Sequence, residues 1–315
     1  MKPTRHVTAA LLMAAFAAVG CSKRGETPSA KAASPGSAQE KTVAASGAFT
    51  GTDGEGFAPN ATSKIAGPTS FSDGEAAYNA RKYRGAMAIF EGYTERRPGN
   101  AWGHYMLGLS AWKSGELGKS EQAFEKALSI DPRHVKSLVN LSRVFIDQKR
   151  YDDALDGLTH AADIDPESIE VHRLLGRTHN AKGQTDEAVN AYRRAIELNE
   201  LDAWSMNNLA LVLIETKRAD EALPLLAKAV ELRKDVPEFQ NNLGMALEHT
   251  GRFRAAAAAY SGALTVAPGY TKAKQNLTRV EAIKGGPEEP FDVGQAANSS
   301  VEKTEVAVDE QTARK

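Results

Sequence analysis

The sequence predicts an all-α fold, a superhelical solenoid of helical hairpins with disordered N- and C-terminal flanks. Three observations predict it. Blocks of 34 residues beginning at Ala101 stay in register through five repeats without an insertion. Within each block, apolar residues follow helical spacing in two runs that a short turn separates. The segments on either side of the repeats are poor in large apolar residues, so they lack the surface needed to build a core.

The composition excludes several classes of protein. The 315 residues include 39 basic and 40 acidic side chains, a formal charge of −1, so there is no excess of Lys and Arg to neutralise phosphates. A single cysteine excludes an internal disulfide framework and a cysteine-rich metal site. We therefore expect protein partners and no nucleic-acid partner.

Residues 1–20 have the pattern of an export signal. Lys2 and Arg5 precede an apolar run from Val7 to Val19. That run is too short to cross a bilayer, which needs roughly 20 apolar residues. We interpret it as a signal peptide that is cleaved on export.

Residues Ala18-Val19-Gly20-Cys21 resemble the lipobox of bacterial lipoproteins. The resemblance implies that the signal is removed before Cys21 and that this cysteine is lipidated and anchors the chain. Ser22 implies, by the same resemblance, the outer membrane facing the periplasm rather than the inner membrane. The alternative is an ordinary signal peptide beside an incidental cysteine.

A flexible tether is predicted at residues 21–66. From Ser22 to Ala66, 30 of 45 residues are Gly, Ser, Ala, Thr or Pro. Such a segment cannot offset its ordering entropy by burial, and random-coil scaling gives it an end-to-end distance of about 35–40 Å.

The repeats occupy residues 67–283. The recurring leucines are Leu107, Leu141, Leu175, Leu209 and Leu243; the small residues after them are Gly108, Ser142, Gly176, Ala210 and Gly244; the large residues of the second helix are Phe124, Leu158, Tyr192, Leu226 and Tyr260. This pattern resembles the tetratricopeptide-repeat family. We divide it into a degenerate repeat at 67–100, full repeats at 101–134, 135–168, 169–202, 203–236 and 237–270, and a capping helix at 271–283. In the degenerate repeat, Ser70 and Asp73 replace expected apolar residues.

The tail at residues 284–315 carries seven acidic and four basic residues and is predicted to be disordered. It is long enough to fold back into the concave groove of its own solenoid and compete with a partner there. The alternative is a tail that is simply solvated.

No motif for catalysis or metal binding is found. His172 and His179 lie about 10 Å apart along one helix, too far to share a metal, and we predict that they pack. There is no His-Glu-x-x-His, phosphate loop or Gly-x-Ser-x-Gly motif. The sequence therefore predicts a protein that is not an enzyme and that has no cofactor, metal or small-molecule substrate.

The concave face of the solenoid is the candidate site, because the first helices of stacked hairpins line it. Asparagines there can grip an extended peptide backbone, as in tetratricopeptide proteins with asparagine ladders, or can hydrogen-bond locally. Arg143, Arg173 and Arg177, followed by Glu215 and Glu248, predict a change of charge sign along the groove. The candidate groove residues are Trp102, Tyr105, Trp112, Asn140, Arg143, Arg173, Arg177, Asn207, Asn208, Asn241 and Asn242.

These features predict a membrane-anchored scaffold or adaptor that binds extended segments of envelope proteins. The architecture also looks like that of the pilotin lipoproteins that help an outer-membrane secretin assemble, for a type IV pilus or a secretion system. This assembly role is the alternative function.

Overall fold

The computed structural model describes residues 70–283 and 291–299, and every regular element in these two ranges is helical. The helices are α1 (Phe71–Asn79), α2 (Tyr83–Arg96), α3 (Ala101–Lys113), α4 (Leu117–Ile130), α5 (Val135–Asp147), α6 (Tyr151–Ile164), α7 (Ile169–Ala181), α8 (Thr185–Leu198), α9 (Ala203–Glu215), α10 (Ala219–Leu232), α11 (Pro237–His249), α12 (Phe253–Val266) and α13 (Thr271–Glu281). Residues 293–299 add one short helix. The predicted all-α hairpin solenoid is confirmed.

Each hairpin turns through one residue with a left-handed backbone, always at the fifteenth position of its block. In every turn, the N–H of the next residue donates to the carbonyl five residues earlier, as Gln184 donates to His179 at 2.9 Å. This bond closes the first helix of the hairpin. The turn residues are glycine in three blocks and basic in the other three: Gly115, Gly183 and Gly251 at φ +82°, +74° and +76°, and Arg81, Lys149 and Lys217 at +59°, +62° and +63°.

We expect replacement of Lys217 by glycine to raise the free energy of unfolding by about 0.5–1 kcal/mol. A side chain with a Cβ costs roughly 1–2 kcal/mol in the left-handed region, and the greater freedom of unfolded glycine offsets part of this gain. The converse change, Gly183→Ala, should lower stability by about 1 kcal/mol, although open space surrounds that position. Urea unfolding of both variants measures the effects, and a less stable Lys217→Gly protein would contradict the argument.

The odd-numbered helices form the inner, concave side of the stack. The backbone of each one approaches that of the next odd-numbered helix to within 8 Å between Cα atoms, whereas no two even-numbered helices of the described chain come that close. Helices on the inside of a curved stack lie closer together than those on the outside. The concave face is therefore built by the first helix of every repeat, as the sequence predicts.

The core of each hairpin couples a small residue on the first helix to a large residue on the second. Where block position 24 is aromatic, position 8 is glycine: Gly74 with Phe90, Gly108 with Phe124, Gly176 with Tyr192 and Gly244 with Tyr260. A Cβ on any of these glycines would lie 2.5–2.7 Å from the ring. The two blocks with leucine at position 24, Leu158 and Leu226, have Ser142 and Ala210 at position 8 instead.

The recurring leucines are not equally buried. Leu209 and Leu243 belong to the core, whereas Leu107 and Leu175 are only partly buried. Leu107 lines a cavity together with residues of α2 and α4, and Leu243 lines the equivalent cavity with residues of α10 and α12. This position thus faces the space between two even-numbered helices, so how well it is covered varies from repeat to repeat.

The degenerate first repeat begins with a capping box. The N–H of Asp73 donates to Ser70 Oγ at 3.2 Å, and the N–H of Ser70 donates to Asp73 Oδ2 at 2.7 Å, which lowers the pKa of the Asp73 carboxyl. Because Ser70 caps it, α1 begins at Phe71, the fifth position of its block. The first helix of each full repeat begins at the first position of its block.

The C-terminal flank differs from its prediction at residues 291–299, which are ordered. Phe291 packs against the C-terminal core cluster, which consists of buried apolar residues from α8 to α13, between Ala188 and Val280, and Ala297 is fully buried. Charge dominates the composition of the tail, but Phe291 supplies apolar surface that is partly buried against the solenoid. Residues 284–290 and 300–315, and residues 1–69 with Cys21, lie outside the described residues.

Candidate peptide-binding groove

The N-terminal end of the concave face carries an aromatic cluster. The rings of Trp102 and Tyr105 lie 4.9 Å apart, and the His134 ring lies 5.4 Å and 5.1 Å from them, edge-on. Trp102 is 39% exposed, whereas Tyr105 is 8% exposed and its burial raises its pKa to about 12. The Lys136 ammonium lies 5.3 Å from the Trp102 ring centre. Trp102 is thus the accessible ring, and Tyr105 is its buried support.

Trp112, at the C-terminal end of α3, is held by the next repeat. Its Nε1–H donates to Asp147 Oδ2 at 2.8 Å. The Lys113 ammonium lies 4.3 Å from the Trp112 ring centre and the Arg143 guanidinium 6.0 Å away. Burial, and next the charge of Arg143, lower the pKa of Lys113. Two cationic side chains of the protein therefore already lie near the Trp112 ring.

Two of the three predicted groove arginines are paired with carboxylates of the following repeat. Arg143 forms an ion pair with Glu170. Arg173 Nη1 lies 3.0 Å and 3.3 Å from the two carboxylate oxygens of the buried Asp202. Arg177 is exposed and makes no hydrogen bond or ion pair within residues 70–283 and 291–299. It is the arginine of this group that remains available to a ligand.

The predicted change of charge sign along the groove is largely cancelled. Besides the two arginine pairs, Glu248 accepts hydrogen bonds from Arg279 at 2.7 Å and 2.9 Å and from the Tyr260 hydroxyl at 2.8 Å. The Arg279 bonds are the main reason that the pKa of Glu248 is lowered. The prediction was based on the charge at each repeat position alone. It could not include the oppositely charged side chains on or next to the following odd-numbered helix that pair with Arg143, Arg173 and Glu248.

Five asparagine side chains form one continuous hydrogen-bonded chain across α9, α11 and α13. Asn276 donates to Asn241 at 2.9 Å, Asn241 to Asn242 at 3.3 Å, Asn242 to Asn207 at 2.8 Å, and Asn207 to Asn208 at 3.3 Å. Asn207 and Asn241 are buried, and the other three are half-buried. This chain spans two repeat interfaces and fixes the orientation of every amide in it. The Asn208 amide nitrogen ends the chain without a partner among the described residues.

Asn276 is not among the groove residues predicted from the sequence. It lies one 34-residue period after Asn242, so the repeat spacing could have identified it.

Asn140 lies apart from the chain of amides. It is buried, its amide donates to the Lys136 carbonyl at 2.8 Å, and its oxygen accepts from Arg143 at 3.3 Å. The local interpretation therefore describes Asn140 better than the peptide-gripping one.

The two histidines of α7, and His104 of α3, have hydrogen-bond partners within the protein. His172 Nε2 donates to the Pro166 carbonyl at 2.9 Å, and His104 makes the equivalent bond to Pro98 at 3.0 Å. Each bond ties the first helix of a repeat to the end of the preceding one. His179 Nδ1 lies 2.9 Å from the side-chain oxygen of Gln184. Within the described ranges, no group of three or more His, Cys, Asp or Glu residues is placed to hold a metal ion.

The part of the chain that the structure describes contains no helix with the length and apolar character needed to span a bilayer.

Family models agree with this geometry. One tetratricopeptide-repeat model matches residues 111–178, and a second matches residues 173–237 and 219–271, together just over half of the chain. The chain belongs to the tetratricopeptide-repeat family. This fold supports a protein-interaction scaffold or adaptor with a protein partner.

Individual relatives share the repeats rather than a whole architecture. The chain is 28% identical over 116 residues to the protein O-mannosyl-transferase Tmtc3 of Drosophila melanogaster, covering 36% of this chain and 12% of that protein. It is 27% identical over 92 residues to the small glutamine-rich tetratricopeptide repeat-containing protein 2 of Mycosarcoma maydis, covering 29% and 26%. The chain thus spans about a quarter or less of the length of these relatives.

A solved structure extends the likeness over most of the solenoid. The PilF protein of Pseudomonas aeruginosa matches with a TM-score of 0.58 at 18% identity, covering 66% of this chain and 95% of that one. At this identity, the match shows a shared fold.

Proposed function

We propose that this tetratricopeptide-repeat protein is an adaptor that a lipid on Cys21 anchors to the bacterial outer membrane. In this proposal it holds extended segments of other envelope proteins on its concave, periplasmic face. The observation that carries the proposal is the set of groove side chains left accessible after the inter-repeat bonds are counted. Trp102 offers an exposed ring, and among the described residues the Arg177 guanidinium and the Asn208 amide nitrogen have no hydrogen-bond partner.

These three groups suit an extended peptide. A ring can cover an apolar side chain, a guanidinium can bind a carboxylate, and an amide can donate to a peptide carbonyl. They belong to three different repeats on one face, so a ligand must be extended to reach all of them. The paired arginines and the asparagine chain fix the groove before a ligand arrives, which lowers the entropic cost of binding.

The alternative function is assistance in assembling an outer-membrane secretin, as for the pilotin lipoproteins. The observation that favours it is the likeness to PilF, of which this chain covers 95%. A shared fold at 18% identity supports the architecture and leaves the partner to experiment.

Affinity capture from detergent-solubilised membranes tests the proposal. The full-length lipoprotein should retain one or more envelope proteins, and Trp102→Ala and Arg177→Ala should each reduce their recovery about tenfold, as expected for accessible hot-spot residues. Leu201→Ala is the matched control, because Leu201 is 64% exposed but lies between α8 and α9, outside the groove. It should leave recovery unchanged.

Membrane fractionation tests the lipid anchor independently of the groove. Cys21→Ser should release a folded protein from the membrane fraction, since no other attachment is proposed. If that variant still sediments with membranes after a high-salt wash, the lipid anchor is wrong. A secretin as the dominant captured protein supports the alternative function, and equal capture by Trp102→Ala, Arg177→Ala and wild type rejects the concave face as the binding site.

A further inference from the structure

The last pair of even-numbered helices differs from the others on its outer side. Consecutive even-numbered helices enclose an outer groove whose floor is the odd-numbered helix between them. The groove between α10 and α12, here the terminal outer groove, is lined by the polar Gln240 and by six apolar residues of the solenoid: Val230, Leu243, Leu247, Ala255, Ala258 and Ala259. It opens on the side opposite the concave face, because two even-numbered helices form its walls.

Charged or polar side chains occupy most of the equivalent positions of the earlier full repeats. Across the first outer groove, Lys119 on α4 forms an ion pair with Glu91 on α2 at 3.0 Å. Only the last block has alanine at both of two positions that line this groove. Block position 19 reads Lys119, Asp153, Glu187, Glu221 and Ala255, and position 22 reads Gln122, Asp156, Asn190, Pro224 and Ala258.

The C-terminal segment already occupies this groove. Phe291 and Val293 line it together with α10, α11 and α12, and Phe291 packs against the C-terminal core cluster. Asp292 Oδ1 accepts the Gln295 N–H at 3.0 Å and so begins the short helix at 293–299. That helix buries Ala297 completely. The segment therefore presents a capped turn whose Phe291 ring packs against the protein, while Val293 borders the groove and stays 36% exposed.

We propose that the terminal outer groove is a second peptide-binding site, separate from the concave face, and that its ligand is the chain's own segment 291–299. The segment acts as a removable cap. The groove would recognise three features of the segment. These are the aromatic side chain of Phe291, the carboxylate of Asp292 that caps the helical turn, and the β-branched side chain of Val293. When the segment leaves, the apolar wall of α12 is exposed to whichever peptide carries the same chemistry.

Hydrogen exchange in the full-length chain tests the cap. Phe291→Ala removes the aromatic side chain that packs against the groove. Ala255→Glu places glutamate at position 19 of the last block, where earlier repeats have Glu187 and Glu221. Both variants should accelerate exchange of the amides in residues 295–297 about tenfold or more relative to wild type. Asn298→Ala changes an exposed position of the same segment and should leave exchange unchanged. Unchanged exchange in both test variants would overturn the proposal.

Binding in trans tests the groove itself. A fluorescent peptide of residues 288–299 should bind the Phe291→Ala chain at least about tenfold more tightly than wild type, where the tethered segment competes. Adding Ala255→Glu to that chain should abolish binding, and adding Trp102→Ala should not, because Trp102 lies on the concave face. Peptide binding that survives Ala255→Glu would refute the site. Protection of residues 295–297 that rises with protein concentration would assign the segment to a second copy and overturn the intramolecular cap.

Discussion

Replacing Leu226 with alanine is expected to lower the free energy of unfolding by about 2–5 kcal/mol. Leu226 is the position-24 residue of α10, has no exposed surface and belongs to the C-terminal core cluster. Truncation leaves a cavity that the alanines of the same hairpin cannot fill. Urea unfolding followed by circular dichroism measures the loss. Because repeats stabilise one another through nearest neighbours, hydrogen exchange in α3 and α4 should change much less than in α9 and α10.

Leu175→Ala is the matched control for this prediction. It removes the same atoms, but Leu175 is only partly buried, because position 7 of its block faces the space between even-numbered helices. We expect it to cost less than half as much as Leu226→Ala, since less apolar surface is re-exposed. Equal losses in the two variants would contradict the assignment of position 24, rather than position 7, as the centre of each hairpin.

Gly108→Ala is the second substitution with a large expected effect, a loss of about 1–3 kcal/mol from overpacking. A Cβ at this position would lie 2.7 Å from two carbons of the Phe124 ring, which is fully buried. Neither α3 nor the ring can yield without disturbing the adjacent hairpin. Thermal and urea unfolding both measure the effect.

Two companion variants make this prediction specific. Gly118→Ala also replaces a helical glycine with alanine, but nothing lies within 4 Å of its added Cβ, so it should be neutral or stabilise by up to about 1 kcal/mol. Gly108→Ala with Phe124→Leu reproduces the Ala210 and Leu226 pair of another repeat. The double variant should be more stable than the sum of the two single losses predicts. Strict additivity would refute the coupling between positions 8 and 24.

Repeat position predicted the helix face of the candidate site residues but not how accessible each side chain is. The side chains of Trp102 and Arg177 are exposed, and the amide nitrogen of the half-buried Asn208 has no partner among the described residues. Arg173, Asn207 and Asn241 lie on the same face, yet an ion pair and amide bonds between repeats use their polar atoms. Repeat position tells which helix face a residue occupies. It does not tell which side chain of the next repeat reaches it.

The sequence by itself determined the helices, their pairing into hairpins and the period of the stack. Those features follow from local causes: apolar spacing within 14 residues, a left-handed turn residue such as Gly183, and small residues where Phe124 or Tyr192 approaches. Tertiary structure alone decided the rest. The offset between repeats brings Asn242 to Asn207, 35 residues away, and the alanines of α12 give Phe291 a surface to cover. Neither contact has a local signal, because each depends on how whole helices are placed in space rather than on the residues nearby in the chain.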